Sequence, residues 1–199
     1  MDYNRKSLYK DLQEKPHMRH LVIVDSEASP EFEDVARLDE TNRKAAEAEG
    51  RVVALAIWNV YAHGRTDQEL DKEMEDVFRD EMPPGCNEQL YRYMLEKCTK
   101  SRRHIMGNKP YMLLSILATA SAHHRRGLGA MLLRQGLEEA DGLGLPAHLE
   151  ASRVGLALYE RFGFETVGDV VIESERLDMT GDQVFKAMVR PAKSGRKLG

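Results

Sequence analysis

The feature that most constrains the fold is a short apolar run that leads through a glycine-containing loop into an amphipathic segment. The run YMLLSIL, Tyr111–Leu117, is too short for a buried helix to be favoured, so we predict a central strand covered on both faces. After the loop HHRRGLG, apolar residues recur on one side from Gly127 to Gly142, which predicts a helix. This order of strand, loop and helix is typical of an α/β fold.

Further elements surround this unit. The first two predicted strands form a hairpin with an unusually long connection, part of which, Glu31–Glu49, is expected to be helical. A turn at Met82–Gly85 separates two helices, of which the second ends before Gly107. Gly163 is expected in the left-handed conformation after a short helix. We predict strands at Leu21–Asp25, Arg51–Val60, Pro146–Ser152, Glu165–Ile172 and Val184–Arg190, and helices at Asp67–Arg79 and Gly155–Arg161.

Length and composition favour one domain over the 199 residues, with 42% apolar and 31% charged residues. With a net charge of -4, the chain lacks the clustered basic residues of a nucleic-acid binder. Cys86 and Cys98 have no metal-ligand neighbours, so structural thiols and no metal are expected. No segment approaches the roughly 20 apolar residues that span a membrane, and we expect a cytoplasmic protein. Residues 191–199 are predicted to form a flexible basic tail.

The loop before the predicted helix has the composition of an anion site. Gly127 and Gly129 let a ligand approach the backbone, and the first amides of a helix lack intrahelical acceptors and lie at the positive end of its dipole. Arg125 and Arg126 add positive charge. A pyrophosphate suits such a site. The loop is neither a Walker A motif nor a dinucleotide fingerprint, because it lacks the Lys-Ser/Thr pair and the third glycine.

The segment LLSILATASAHHRRGLGAMLLRQGLEEAD resembles the coenzyme A-binding motif of the GNAT acetyltransferases, and PAHLEASRVGLALYERFGFETVG resembles the next motif of that family. The similarity extends over roughly Leu21–Arg190 and is nearest to fungal members. It implies a mixed, largely antiparallel twisted sheet, splayed at the central strand and with helices on both faces. His124 stands where the family usually has Gln or Arg, Ser121 replaces a common proline, and residues 1–19 are shorter than the usual N-terminal segment.

The resemblance implies that acetyl-coenzyme A is the cosubstrate and that a helix-opening loop holds it. The expected contacts come from the end of the central strand, the loop, the first helical turn and the end of the following strand. These residues are Leu117, Ala118, Thr119, His124, Arg125, Arg126, Gly127, Leu128, Gly129, Ala130 and Ser152. His123 is expected to lie beside a phosphate.

The resemblance also implies direct attack by an amine in a ternary complex, without a cysteine nucleophile. Tyr159 lies at the family's general-acid position, where a phenol protonates the departing thiolate. The base is not inherited, because Leu113 occupies the position of the family's glutamate. Glu150 and His148 share one face of the next strand, so either is a candidate base, although a structural role is the alternative for each.

Three functions fit these residues. The first is acetylation of a small primary amine, the second is acetylation of protein lysines or N-termini, and the third is cofactor binding without turnover. The acidic stretch Asp67–Asp80 suggests a cationic acceptor, unless it is simply a solvated helix face. A homodimer is a further possibility.

Overall fold

A computed structural model describes residues 17–25, 51–79, 85–173 and 182–193. Within them the strands are β1 (Met18–Asp25), β2 (Arg51–Tyr61), β3 (Tyr111–Thr119), β4 (Ala147–Ala151), β5 (Glu165–Ile172) and β6 (Gln183–Arg190). The helices are α1 (Asp67–Arg79), α2 (Glu88–Met106), α3 (Leu128–Leu143) and α4 (Leu156–Arg161), and Ser121–His123 form a 3₁₀ turn. The predictions for Glu31–Glu49, for most of the turn at Met82–Gly85 and for residues 1–16 and 194–199 lie outside the described residues.

The strands form one six-stranded sheet in the order β1-β2-β3-β4-β6-β5. Only β3 and β4 are parallel, whereas the other four neighbouring pairs are antiparallel. The predicted hairpins β1–β2 and β5–β6 are both present. The mixed, largely antiparallel sheet is therefore confirmed.

Helices pack on both faces because side chains alternate along the strands. Met112 and Leu114 lie in the core under α3, where Trp58 is fully buried. Their neighbours Tyr111 and Leu113 pack on the opposite face, against Met106 at the end of α2. The helix α1 lies against α2. This two-sided cover explains the continuous apolar sequence of the first half of β3.

The second half of β3 is more open than the sequence predicted. Tyr111–Leu114 are buried, whereas Ser115 and Ile116 are exposed, so the strand is covered on both faces only in its first half. The reason is that β4 pairs with β3 at two positions alone, Met112 with Ala147 and Leu113 with His148. A bulge at Ser115 marks the change, and the Asn59 side-chain amide donates to the Ser115 hydroxyl at 2.5 Å.

The remaining element predictions hold, with shifts at the ends. The helix predicted from Gly127 begins at Leu128, since Gly127 has the left-handed φ of 81° and is the N-cap. β1 begins at Met18, three residues before the prediction, and β3 ends at Thr119, two residues beyond it. Gly163 has φ 85°, as predicted for the residue after a helix.

Candidate functional site

The separation of β3 from β4 leaves a cleft between Ser115–Thr119 and Leu149–Ala151, which we call the β3–β4 cleft. One side of it is formed by the start of α3. A Cβ atom placed on Gly129 would lie 3.8 Å from the Thr119 hydroxyl and 3.9 Å from Leu117 and from Leu158 of α4. Leu117 and Thr119 therefore point towards α3, and Gly129 lies between the end of β3 and α4.

The loop before α3 has the backbone conformation of an anion site. Arg125 has φ 62° and Gly127 has φ 81°, so two left-handed residues alternate with residues of negative φ. Such alternation turns successive amides towards one point and forms a nest for anions. No side chain caps the start of α3, and both Arg125 and Arg126 are exposed. A left-handed arginine is strained, by about 1 kcal/mol or more, which is typical of a loop built for a ligand.

The two histidines of the loop have partners within the protein. The His124 Nε2 donates to the Thr119 carbonyl at 2.9 Å and so ties the loop to the end of β3. The His123 Nε2 lies 3.2 Å from Asp25 Oδ2, which connects the loop to the end of β1. Both side chains hold the loop in place, while Arg125 and Arg126 are exposed.

Tyr159 lies on α4, next to Leu158, which approaches Gly129 at the start of α3. Its ring packs edge-to-face on Phe164, with centroids 6.0 Å apart. A Cβ atom on Gly155 would come within 2.7 Å of the ring, so the glycine makes room for it. Burial raises the pKa of the Tyr159 phenol. Within the described residues its hydroxyl has no hydrogen-bond partner, so it remains free to donate to a ligand.

Glu150 belongs to a network of charged side chains that connects β4 with α2 and α1. Its Oε1 lies 3.1 Å from His148 Nε2 and 3.4 Å from Arg102 Nη1. Arg102 also donates to Glu73 at 2.8 Å, and Arg65 donates to the same carboxylate at 2.6 Å. The Arg102 and Glu150 side chains are each 11% exposed, and His148 is fully buried.

The state of Glu150 follows from these contacts. Burial acts to raise the pKa of the carboxyl, but the hydrogen bond with His148 and the charge of Arg102 outweigh it, so the pKa lies below its ordinary value. An ionised Glu150 keeps a proton on His148 Nε2. The Nδ1 of His148 is buried and has no hydrogen-bond partner within the described residues.

We expect Glu150→Gln to destabilise the protein by about 3 kcal/mol at neutral pH, since it leaves part of the Arg102 charge unpaired in a buried setting. The folded pKa is depressed, so the unfolded chain binds the proton more readily. The stabilisation from Glu150 is therefore present above pH 4.5 and disappears as the pH falls through the folded pKa. Urea unfolding across pH 3–7 tests this.

The matched control for this substitution is Asp76→Asn, which removes a carboxylate from an exposed pair with Lys72. Its effect should stay within about 0.5 kcal/mol. Equal stability losses for the two variants at neutral pH, or a Glu150→Gln loss that does not shrink as the pH falls below 4.5, would contradict the buried network.

Several residues that shape this region were not predicted from the sequence. Arg102 and Glu73 lie on two different helices, and no spacing in the sequence connects them with Glu150. Gly155 was assigned only to the start of a helix. Of the predicted contacts, Leu128, Gly129 and Ala130 open α3, and Ser152 lies exposed at the end of β4.

Two kinds of feature, a metal site and a membrane-spanning helix, were sought among the residues that the structure describes. These residues contain no group of three or more His, Cys, Asp or Glu side chains placed to hold a metal ion. None of their helices is both long and apolar enough to cross a membrane.

An open mixed sheet whose two parallel strands separate beside an uncapped, glycine-containing helix start defines an α/β architecture. The sequence profile of the acetyltransferase (GNAT) family matches residues 6–164. The chain belongs to this family. The predicted family and the predicted fold are thus confirmed.

Individual relatives are more distant. The chain is 30% identical over 88 residues to a probable acyltransferase, SID5, of Ajellomyces capsulatus, and the match covers 44% of this chain and 65% of that protein. The structure of a mosquito protein named arylalkylamine N-acetyltransferase like 5b superposes on this chain with a TM-score of 0.54 at 12% sequence identity. The match covers 86% of this chain and 99% of that one. The polyamine N-acetyltransferase of Drosophila melanogaster superposes with a TM-score of 0.52 at 13% sequence identity, over 77% of this chain and 81% of that one. These two structures share the fold.

Proposed function

We propose that the protein transfers the acetyl group of acetyl-coenzyme A to a primary amine, by direct attack in a ternary complex. One observation carries the proposal: Gly129, at the uncapped start of α3, lies against Leu117 and Thr119 at the end of β3 and against Leu158 of α4, the helix that carries Tyr159. A ligand with a pyrophosphate at one end and a thioester at the other fits that order of groups.

The residues around the cleft suit this cosubstrate. The amides from Gly127 to Ala130, with Arg125 and Arg126, would hold its pyrophosphate. The free edge of β3 at Leu117–Thr119 would offer backbone groups to its amides, and Ser152 lies at the end of the opposite strand. When bound, acetyl-coenzyme A supplies an activated acetyl thioester.

The side chains then move two protons. The amine nitrogen forms a bond to the acetyl carbon, the carbon–sulfur bond breaks, and the Tyr159 hydroxyl gives its proton to the departing sulfur. The proton of the amine goes to the pair formed by Glu150 and His148, directly or through water. Glu150 has the ionised form that a base requires, and its contact with His148 Nε2 at 3.1 Å holds it in place.

The nature of the acceptor does not follow from the relatives. The two solved structures are named for arylalkylamines and polyamines, which are chemically different amines, and at 12% and 13% identity neither name transfers to this chain. Acetylation of peptides and cofactor binding without turnover remain the alternatives, and a homodimer stays a prediction.

The test is release of free thiol from acetyl-coenzyme A with a panel of amines and N-terminal peptides, together with calorimetric binding of coenzyme A. Thiol release that depends on a small amine supports the proposal. Release with peptides alone favours the protein acetyltransferase, and tight binding without release under any acceptor favours the non-catalytic alternative.

A further inference from the structure

Ser115 and Glu150 flank the closed end of the β3–β4 cleft on the side of the sheet that α2 covers. Asn59 of β2 pairs with Leu113, and Leu113 packs against the end of α2, so the Asn59 side chain lies on that side. The Asn59 amide donates to the Ser115 hydroxyl at 2.5 Å, which places this hydroxyl on the same side. Glu150 reaches it from β4, where it contacts Arg102 of α2. Each of the two strands thus presents one polar side chain there.

Ser115 is open to a ligand, and its hydroxyl is held in one place. Among the described strands it has no paired residue, because the bulge of β3 skips it on the β2 side and β4 has already separated on the other. Ser115 itself is exposed, whereas Asn59 is only 7% exposed. A buried amide bonded to an exposed hydroxyl fixes the position of that hydroxyl. Bulges beside ligand sites commonly redirect a side chain in this way.

Both groups can accept a further hydrogen bond. A serine oxygen has two lone pairs, and the Asn59 amide takes one of them, so the second can accept an N–H from a ligand. The Glu150 carboxylate is ionised, and Arg102 at 3.4 Å and His148 at 3.1 Å hold it. A carboxylate has about four acceptor positions, so these two contacts leave capacity for a ligand.

From this geometry we infer that Ser115 belongs to the acceptor site, where its hydroxyl accepts one N–H of the reacting amine while Glu150 accepts the other. Asn59 is then a positioning residue that acts through Ser115. The inference rests on the proposed function. It adds a residue to that site and a reason for the acceptor to be a primary amine, since a secondary amine has only one N–H.

Two held N–H groups set the direction of the attack. A neutral primary amine has two N–H groups and one lone pair, so fixing both N–H groups aims the lone pair. As the nitrogen bonds to the acetyl carbon, the N–H on the Glu150 side gives its proton to that carboxylate. The carbon–sulfur bond breaks, and the sulfur takes the proton of Tyr159. The N–H on the Ser115 side remains on the product amide.

The first test compares primary amines with their N-methyl derivatives: benzylamine with N-methylbenzylamine, and n-hexylamine with N-methylhexylamine. The readout is kcat/KM by thiol release at saturating acetyl-coenzyme A. We expect Ser115→Ala to lower kcat/KM for the primary amines by about fivefold, the usual size of one neutral hydrogen bond, and to leave the N-methyl amines almost unchanged. The preference for the primary amine therefore falls by about fivefold. An equal loss for both members of each pair overturns the inference.

Two further variants serve as controls. Ser115→Thr keeps the hydroxyl on a residue type that suits a strand, so it should keep the preference for primary amines. Thr166→Val removes a hydroxyl from an exposed position on β5, at the far edge of the sheet, and should change neither amine. A Ser115→Thr variant that has lost the preference to the same extent as Ser115→Ala contradicts the role of the hydroxyl.

The role of Asn59 is tested by a double-mutant cycle. Asn59→Ala should lower kcat/KM for benzylamine by about threefold, because the hydroxyl is then no longer held. In the Ser115→Ala background the same substitution should have no further effect, since Asn59 acts through Ser115. Effects that multiply in the double variant overturn the positioning role. The comparison of Ser115→Ala with Ser115→Thr does not depend on how well the Asn59 variant folds.

Two outcomes separate this inference from its alternatives. If the pair of Asn59 and Ser115 only stabilises the bulge, Ser115→Ala will lower the melting temperature and reduce primary and N-methyl amines alike, which contradicts the inference. If no amine gives thiol release, calorimetry of benzylamine with the coenzyme A-loaded protein decides. Binding that Ser115→Ala weakens and Thr166→Val does not supports the inference while the proposed function fails. Equal affinity in the two variants overturns the inference, and absence of binding overturns both.

Discussion

Gly129→Glu is expected to abolish binding of acetyl-coenzyme A in a protein that remains folded. The new side chain starts between Thr119, Leu117 and Leu158, in the space where the proposed cosubstrate passes from the loop to the cleft. Its carboxylate would lie close to the pyrophosphate, and like charges at that range cost several kcal/mol. The affinity should fall by about 10³-fold or more.

The fold itself should tolerate this change. The contacts of a Cβ atom at Gly129 are ordinary, at 3.8–3.9 Å, and glutamate in the first turn of a helix interacts favourably with the helix dipole. The melting temperature should be equal or higher. Gly142→Glu is the matched control, because Gly142 lies in the same helix with open space around it. Calorimetric affinity close to that of the wild type in Gly129→Glu would remove this junction from the cosubstrate site.

Much of the fold could be predicted because its elements are short and regular in sequence. The six predicted strands agree with the structure, and the helices at Asp67–Arg79 and after Gly127 are amphipathic with one buried side. The order of the last strands could not be predicted. β6 lies between β4 and β5, and the sequence of a hairpin does not show which of its strands pairs with the sheet.

The cleft was harder to predict from the residues than the loop. Two glycines after a strand indicate an exposed helix start, and the left-handed Gly127 agrees with this interpretation. The run YMLLSIL reads as a strand that is buried throughout, yet β4 separates from it after Leu113. That separation is a property of two strands and a bulge, and only the family resemblance implied it. The network of Arg102, Glu73 and Glu150 is likewise a tertiary feature.

The largest expected effect on catalysis comes from Tyr159→Phe, which should lower kcat by about 10²-fold or more, the usual scale of general acid catalysis, while the affinity for acetyl-coenzyme A stays almost unchanged. The variant removes only a hydroxyl that has no partner within the described residues, so no buried group loses a hydrogen bond and stability should change little. The ring keeps its contact with Phe164 and the room that Gly155 leaves for it.

The protonation state of Tyr159, a control variant and the rate-limiting step set the conditions for this experiment. Burial raises the pKa of Tyr159 above its ordinary value of 10.0, so the phenol stays protonated and able to donate throughout the neutral range. Tyr91→Phe on α2 is the control and should leave kcat unchanged. The measurement requires conditions in which thioester cleavage limits the rate, since slow product release would hide the loss. A Tyr159→Phe enzyme with the kcat of the wild type under those conditions would assign Tyr159 to packing alone, and the proton for the departing sulfur would then have to come from solvent.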